Sequence, residues 1–248
     1  SINEFIKRGI VLDVDDLIID GDGHTINANG KSSIFLIKGS NITLKNINFQ
    51  NASGYAILND AEDTNIVDCT FENSEGQAII NMYGNMNVSN STFSSNNTEA
   101  TGAAIFNKNA DLIIFGCMFN YNVSLGPGGA LINTRGNVKI DDSNFLNNVS
   151  KDIGGALFNL SELEVTNSSF EHNTSRREGK SIYNNAQGHF KVSGCEFSGL
   201  IKDELYGFKD FESEFVNCKS KDDEFNLGNS NHWVQSQPTK NFAYLNDL

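Results

Sequence analysis

The chain has 248 residues, of which 38% are hydrophobic and 22 are glycine. This is an ordinary globular composition, which excludes a disordered tail and a collagen-like fibre. The 31 acidic and 18 basic residues give a net charge of −13, so we expect no nucleic-acid partner, because the protein repels phosphate backbones. No window contains the roughly 20 apolar residues of a membrane span, and no direct membrane insertion of this segment is expected.

Residues 1–41 are predicted to form entry coils, with apolar segments at 17–26 and 34–37. The first of these segments contains Asp20, Asp22 and His24, which are residue types that bind metals or transfer protons. The same Asp-Gly-Asp-Gly sequence is also typical of a tight turn between two strands. We favour the turn.

Residues 42–198 contain a repeat of about 25 residues. Its most regular members are phenylalanines, separated by 22, 22, 26, 26, 25 and 27 positions: Phe49, Phe71, Phe93, Phe119, Phe145, Phe170 and Phe197. Mostly apolar residues stand seven and five positions before each Phe, and this period of two predicts a strand. Asn, Asp or Gly three positions before each Phe predicts a corner, because these residues tolerate a left-handed backbone. We expect one continuous stack with every Phe in a single internal column.

A second strand follows each Phe and ends in a recurring asparagine. The chain has 36 Asn in all, and amides stacked at strand spacing can donate to one coil and accept from the next. The predicted structural ladder consists of Asn59, Asn81, Asn107, Asn133, Asn159 and Asn184. Short strands that cannot bury an apolar side alone must stack. The predicted fold is therefore all-β, a right-handed parallel β-helix (solenoid) with about 22–27 residues per coil.

The cysteines fall into the same repeat. Cys69, Cys117 and Cys195 stand two positions before a column phenylalanine, where other coils have Ile or Ser. Cys69 and Cys117 are separated by a whole coil, roughly 9–10 Å at strand spacing. This is too far for a disulfide, so we predict buried free thiols.

Residues 199–248 lose the period. We expect a degenerate last coil around Phe208 and Phe215, followed by a C-terminal cap or linker that includes Trp233. A cap or a further domain is needed because an open β-helix end exposes unpaired strand edges.

Two repeated motifs carry a resemblance to known families. F-x-x-N occurs at Phe93, Phe119, Phe145 and Phe170, and Gly-Gly-Ala occurs at 128–130 and 154–156. Together they resemble the repeats of polymorphic outer-membrane protein adhesins and of the adhesin-like surface proteins of methanogenic archaea. The segment 19–26 is similar to the first coil of pectate-lyase-like β-helices. The first resemblance implies a scaffold on a cell surface, and the second implies an enzyme.

An apolar stripe is the outward feature that composition does not explain. If the Asn ladder points inward, alternation sends six residues outward: Leu58, Ile80, Phe106, Ile132, Phe158 and Tyr183. Soluble monomers rarely expose such a stripe, so a partner, a ligand or the C-terminal segment should cover it. The candidate ligand-binding residues are Phe106, Phe158 and Tyr183, with Phe115 on the neighbouring face. The alternative reverses the alternation and buries the stripe beside Ala.

We expect no catalytic centre, no metal site and no cofactor. A lyase or glycosidase needs convergent carboxylates, a base or a bound cation, but no two carboxylates stack in the outward columns before the phenylalanines. Lys139, Glu164 and Lys191 alternate in sign there, which indicates a surface charge ladder.

The predicted function is that of a non-catalytic β-helix module of an adhesin-like protein, either a stalk or a segment that binds carbohydrate or another cell-surface protein. The alternative is a polysaccharide lyase or hydrolase of the pectate-lyase-like class. We expect a monomer on the extracellular cell surface, within a larger anchored protein. The chain contains ten N-x-[ST] sequons, of which the F-x-x-N members are expected to belong to internal ladders: Asn41, Asn51, Asn87, Asn90, Asn96, Asn122, Asn148, Asn159, Asn167 and Asn173.

Overall fold

The computed structural model describes residues 8–185, 189–207, 213–221 and 232–234. Over these residues the chain winds into a right-handed parallel β-helix, as the repeat predicted. Within the described ranges the strands form three sheets, which we name A, B and C, with nine, seventeen and four strands. Each coil contributes one strand to sheet A and one or two to sheet B, so equivalent residues lie directly above one another.

The strand bounds follow from this winding. Sheet A contains Ile10–Leu12, Phe35–Ile37, Ile57–Asp60, Ile79–Tyr83, Ile105–Asn107, Leu131–Asn133, Leu157–Asn159, Ile182–Asn184 and Leu205–Tyr206. Sheet B contains Ile18–Asn27, Ile42–Gln50, Thr64–Val67, Thr70–Glu72, Met86–Ser89, Thr92–Ser94, Leu112–Phe115, Met118–Asn120, Asn137–Asp141, Asn144–Leu146, Glu162–Thr166, Ser169–Glu171, Phe190–Ser193, Glu196–Phe197, Ser213–Val216, Lys219–Ser220 and His232–Val234. Sheet C contains Asn97–Thr98, Val123–Ser124, Val149–Ser150 and Thr174–Ser175. A one-turn helix, α1, spans Ile201–Glu204.

The phenylalanine column is confirmed. All seven rings are buried, and successive ring centroids lie between 4.7 and 5.1 Å apart with nearly parallel planes. This separation exceeds the contact distance of carbon atoms, about 3.5–4 Å, so the parallel rings are offset. The column forms the centre of one continuous apolar core.

The Asn ladder is also confirmed. Five of its six side-chain amides donate to the next Asn along the stack, for example Asn81 Nδ2 to Asn107 Oδ1 at 2.9 Å and Asn133 Nδ2 to Asn159 Oδ1 at 2.8 Å, whereas the buried Nδ2 of the last member, Asn184, has no hydrogen-bond partner among the described residues. All six members are buried. The ladder therefore satisfies polar groups that would otherwise be costly inside the fold.

Cys69, Cys117 and Cys195 are buried free thiols, as the repeat predicted, and Cys218 joins them in the following coil. Between Cys69 and Cys117 lies Ser91, whose hydroxyl accepts a hydrogen bond from the Cys69 amide at 3.1 Å. Burial raises the pKa of both Cys69 and Cys117 to about 11, so these thiols are protonated and inert near neutral pH.

Sheet pairing runs across both predicted domain boundaries. The strand Ile18–Asn27 pairs with Ile42–Gln50, and Phe190–Ser193 pairs with Ser213–Val216. The predicted divisions at residues 41 and 198 thus coincide with no break in the stack. One further coil follows residue 198 and includes Phe215, whereas Phe208 and residues 235–248 lie outside the described residues. The strand that contains Trp233 pairs antiparallel with Ser213–Val216.

Candidate functional site

The stripe on sheet A points outward, as alternation predicted, but it is not bare. Tyr183 is 2% exposed and Phe158 is 7% exposed, while Phe106 is partly buried. These residues form a second apolar cluster outside the coil with Ile132, Ile153 and Tyr206. The prediction that Phe158 and Tyr183 present exposed rings is therefore wrong, and neither ring is available to a ligand.

The Gly-Gly-Ala turns supply part of the cover. Gly128 has φ +71°, and a Cβ atom there would lie 2.4 Å from the carbonyl oxygen of Leu131. The adjacent Gly129 would place a Cβ 1.9 Å from the carbonyl oxygen of Gly155 in the next coil. Both positions need glycine because the turn presses against sheet A and against the following turn. The stripe is thus covered by turns of the same chain, and the motif that carries the family resemblance is architectural.

At its C-terminal end the stripe continues as a stack of aromatic rings. The ring of Tyr206 stacks on that of Tyr183 at 4.6 Å, and Tyr183 lies 5.5 Å from Phe158. Tyr206 pairs in register with Tyr183, so it extends the stripe by one coil, and coverage by a more C-terminal segment stays a prediction. Burial raises the pKa of the Tyr183 hydroxyl, as expected for a ring packed inside the cluster.

Phe115 is the one predicted ligand residue with a well-exposed ring. It is 48% exposed and projects from the strand Leu112–Phe115 together with Ile113, which is 49% exposed. Three more exposed apolar side chains follow within the same coil: Met118, Tyr121 and Leu125. We name these five residues the apolar belt. Gly116 at the corner has φ +63° and carries no side chain, so nothing projects between Phe115 and Met118 at that position.

The belt is one coil high. The residues stacked on its sheet B members in the two neighbouring coils are polar: Asn87 and Lys139 flank Ile113, Ser89 and Asp141 flank Phe115, and Thr92 and Asn144 flank Met118. Asp141 accepts hydrogen bonds from Thr166 and Asn167, which lower the pKa of its carboxyl. An ionised acceptor therefore lies beside the exposed Phe115 ring. The belt is a narrow apolar strip between two hydrogen-bonding rows.

Sequence reasoning found Phe115 and placed Ile113 outward, but it missed Met118, Tyr121 and Leu125. Those three belong to different outward columns, and down each column the neighbours are polar. The grouping is visible when the exposed residues of one coil are compared with one another, instead of equivalent residues in successive coils. Of the other exposed large apolar residues in the described part of the chain, four lie in its first coil, and Tyr83 and Leu160 lie in other coils.

The Asp20–His24 segment is a bulge within the single strand Ile18–Asn27 and not the predicted tight turn between two strands. The pairing of Ile18–Asn27 with its neighbour shifts register between Asp20 and His24, and Asp22 has φ +48°. The Asp20 carboxylate accepts from Asn46 Nδ2 at 3.0 Å and from the Asp22 amide, and it pairs with Lys45 at 3.0 Å. These partners lower its pKa to about 2, which suits a fixed hydrogen-bond acceptor and makes it a poor general base.

The predicted charge ladder is present on sheet B. Glu164 lies in register between Lys139 and Lys191, and Lys191 Nζ lies 3.0 Å from Glu164 Oε1. That contact raises the pKa of Lys191. In the described ranges no group of three or more His, Cys, Asp or Glu side chains could hold a metal ion.

The sequons divide by burial. Five of the asparagines are buried: Asn96, Asn122, Asn148, Asn159 and Asn173. Four of them form a second ladder, in which Asn122 Nδ2 donates to Asn148 Oδ1 at 2.9 Å and to the Phe93 carbonyl at 3.1 Å. A glycan cannot be attached to these amides in the folded protein, which leaves Asn41, Asn51, Asn87, Asn90 and Asn167. No helix among the described residues is long and apolar enough to cross a membrane.

The match to a family model agrees with this architecture. Residues 2–145, more than half of the chain, match the family model described as the right-handed β-helix region. Among solved structures, the crystal structure of PfbA, a surface adhesin of Streptococcus pneumoniae, is similar at 13% sequence identity and a TM-score of 0.49, covering 87% of this chain and 74% of that chain. The search of curated proteins found no match.

Proposed function

The chain belongs to the right-handed β-helix family, and from this premise we propose that it is a non-catalytic module of a cell-surface protein that binds a neutral carbohydrate chain along its apolar belt. The observation that carries the proposal is the grouping of five exposed apolar side chains in the single coil 112–125. Contiguous exposed apolar surface on a soluble domain usually marks an interaction site.

The shape of the belt favours a single extended chain as its ligand. Neighbouring coils are about 4.8 Å apart, and the rows on both sides of the belt are polar. A flat protein partner would contact several coils at once and would bury those polar rows. A linear polymer that lies along the coil contacts the apolar strip alone.

The chemistry of the belt favours sugars. The Phe115 ring offers an apolar face against which the C–H face of a sugar ring can stack. Ser89 and Asp141, which stack directly on Phe115 in the neighbouring coils, place a hydroxyl and a carboxylate beside that face for sugar hydroxyls. The net charge of −13 disfavours acidic polysaccharides, so the ligand class is a neutral glycan.

The test is isothermal titration calorimetry with cellohexaose, mannohexaose and xylohexaose, with oligogalacturonate as the acidic control. We expect at least one neutral oligosaccharide to bind and the double variant Ile113→Ser/Phe115→Ser to lose roughly tenfold or more in affinity, because burying one such side chain contributes about 1.5–3 kcal/mol. The matched control, Tyr83→Ser/Leu160→Ser, removes two exposed apolar residues outside the belt and should bind as the unmodified protein does. Absence of binding to every neutral sugar, or equal binding by the belt variant, would overturn the proposal and favour a protein partner or a plain spacer.

A further inference from the structure

Cys195 and Cys218 occupy the same inward column in two successive coils. Glu196 pairs with Lys219 and Phe197 with Ser220 in parallel register, and the Lys219 amide donates to the Cys195 carbonyl at 2.8 Å. Stacked residues at this register have Cα atoms about 4.8 Å apart. That separation lies inside the range of about 4.4–6.8 Å that disulfides span.

The two thiols also contact each other. A side-chain hydrogen bond joins Cys195 to Cys218. Each sulfur lies near the carbonyl oxygen two residues before it, at 3.4 Å for Cys195 and Ser193 and at 3.6 Å for Cys218 and Val216. The hydrogen bond that Cys195 donates lowers the pKa of Cys218 and raises that of Cys195. Cys218 is therefore the sulfur that reaches the thiolate form first.

The other two cysteines provide an internal contrast. Ser91 lies between Cys69 and Cys117, and the Ser91 amide contacts the Cys117 sulfur at 3.5 Å. Two coil spacings, roughly 9–10 Å, separate these thiols, which no disulfide spans. Position in the stack differs as well. Cys117 lies in the middle, whereas Cys218 precedes Lys219–Ser220, the last strand that the structure describes in this column.

We propose that Cys195 and Cys218 form an intramolecular disulfide under oxidising conditions, which fastens the last described coil to the stack. The oxidant is a small-molecule disulfide. The Cys218 thiolate attacks one of its sulfurs and releases one small thiolate, which takes the proton of Cys195. The Cys195 thiolate then attacks Cys218 Sγ and releases the second small thiolate. The two cysteines together lose two electrons, and one small disulfide is reduced to two thiols.

Disulfide formation requires access of the oxidant to Cys218 and closure of the distance between the two side chains. The Cys218 side chain is buried, so the small disulfide reaches it when this coil opens locally, as segments of folded proteins do at free energies below that of global unfolding. Cβ atoms in directly stacked strands lie a few tenths of an ångström beyond the usual disulfide range of about 3.5–4.5 Å. A small shift of the strand Lys219–Ser220 toward Glu196–Phe197 closes that gap.

The test oxidises the folded protein with glutathione disulfide, blocks the remaining thiols with N-ethylmaleimide after unfolding, and maps tryptic peptides by mass spectrometry. We expect two blocked thiols, Cys69 and Cys117, and a cross-link between peptides 192–202 and 210–219. The control variant Cys69→Ser should still form the cross-link, whereas Cys195→Ser should not. Four blocked thiols after prolonged oxidation, a cross-link that includes Cys69 or Cys117, or a disulfide between two molecules would overturn the proposal. Since the map of the unmodified protein decides the outcome, the proposal stays testable even if Cys195→Ser fails to fold.

Discussion

Replacing Phe119 by Ala tests the energetic role of the phenylalanine column. Phe119 is fully buried, and its ring lies 4.7 Å from the rings of both Phe93 and Phe145 with an interplanar angle of 2°. Truncating a buried Phe costs about 3–5 kcal/mol. The upper part of this range applies because each stacked pair contributes about 0.5–1.5 kcal/mol and because the sheets hold the two neighbouring rings too far apart to fill the cavity. We expect a loss of about 4–5 kcal/mol in the free energy of unfolding.

Phe115→Ala is the matched control, since the same residue type is removed four positions earlier in the same coil. Phe115 is 48% exposed, so its truncation should cost about 1 kcal/mol or less. Urea denaturation followed by circular dichroism measures both values, with equal denaturant slopes required for the comparison. A loss below about 2 kcal/mol for Phe119→Ala, or similar losses for the two variants, would refute the argument that the column carries the stability of the stack.

Three further predictions follow from buried or fixed polar groups. Asn133→Ala removes the donor to the Asn159 amide and to the Gly136 and Glu162 carbonyls, and it should lower the free energy of unfolding in urea by about 2–4 kcal/mol. The control Asn87→Ala, at an exposed amide pair, should change that free energy by about 0.5 kcal/mol or less. Equal effects of the two variants would contradict an energetic role for the ladder. Burial raises the pKa of Glu204, so the stability that its protonated carboxyl contributes is fully present below the unfolded pKa and is lost as pH rises through the folded pKa. Glu204→Gln should therefore raise the melting temperature at about pH 7 and leave it unchanged at about pH 4. A difference in melting temperature that is the same at both pH values would contradict the buried carboxyl. Incubation with polygalacturonate should release no unsaturated uronate, detected by ultraviolet absorbance; release that Asp20→Asn abolishes would establish the lyase alternative.

The fold could be predicted because residues that stack in register recur along the sequence at a regular spacing. Ladder asparagines and column phenylalanines recur at coil length, and a parallel stack aligns whatever recurs. The exposure of the aromatic stripe could not be predicted in the same way. Whether Phe158 faces water depends on turns such as 151–155 that fold back over sheet A, and this is a relation between neighbouring segments rather than a period. The glycines of that turn are visible in the sequence, but the backbone atoms that they contact in sheet A and in the next turn are not.

The candidate site was only partly predictable for a related reason. A repeat leads to the comparison of equivalent positions in successive coils. In that comparison Phe115 follows Ser89 and precedes Asp141, so it is a single apolar residue between polar ones. The belt is a property of one coil, and its members stand at unequal spacings from 113 to 125. Adjacent stacking of Cys195 and Cys218 likewise depends on the last described coil, which continues the register although its sequence lacks the repeat motifs.

Methionine methyl NMR tests the central claim, that a neutral glycan binds along the belt, most directly. The chain has three Met, and of these Met118 belongs to the belt, Met86 is buried in the core and Met82 lies on sheet A. With 13C-methyl methionine, titration of the oligosaccharide that binds in calorimetry should shift the Met118 signal saturably and leave Met82 and Met86 in place. A shift of Met82 with Met118 unmoved, or three unchanged signals at saturation, would contradict binding at the belt.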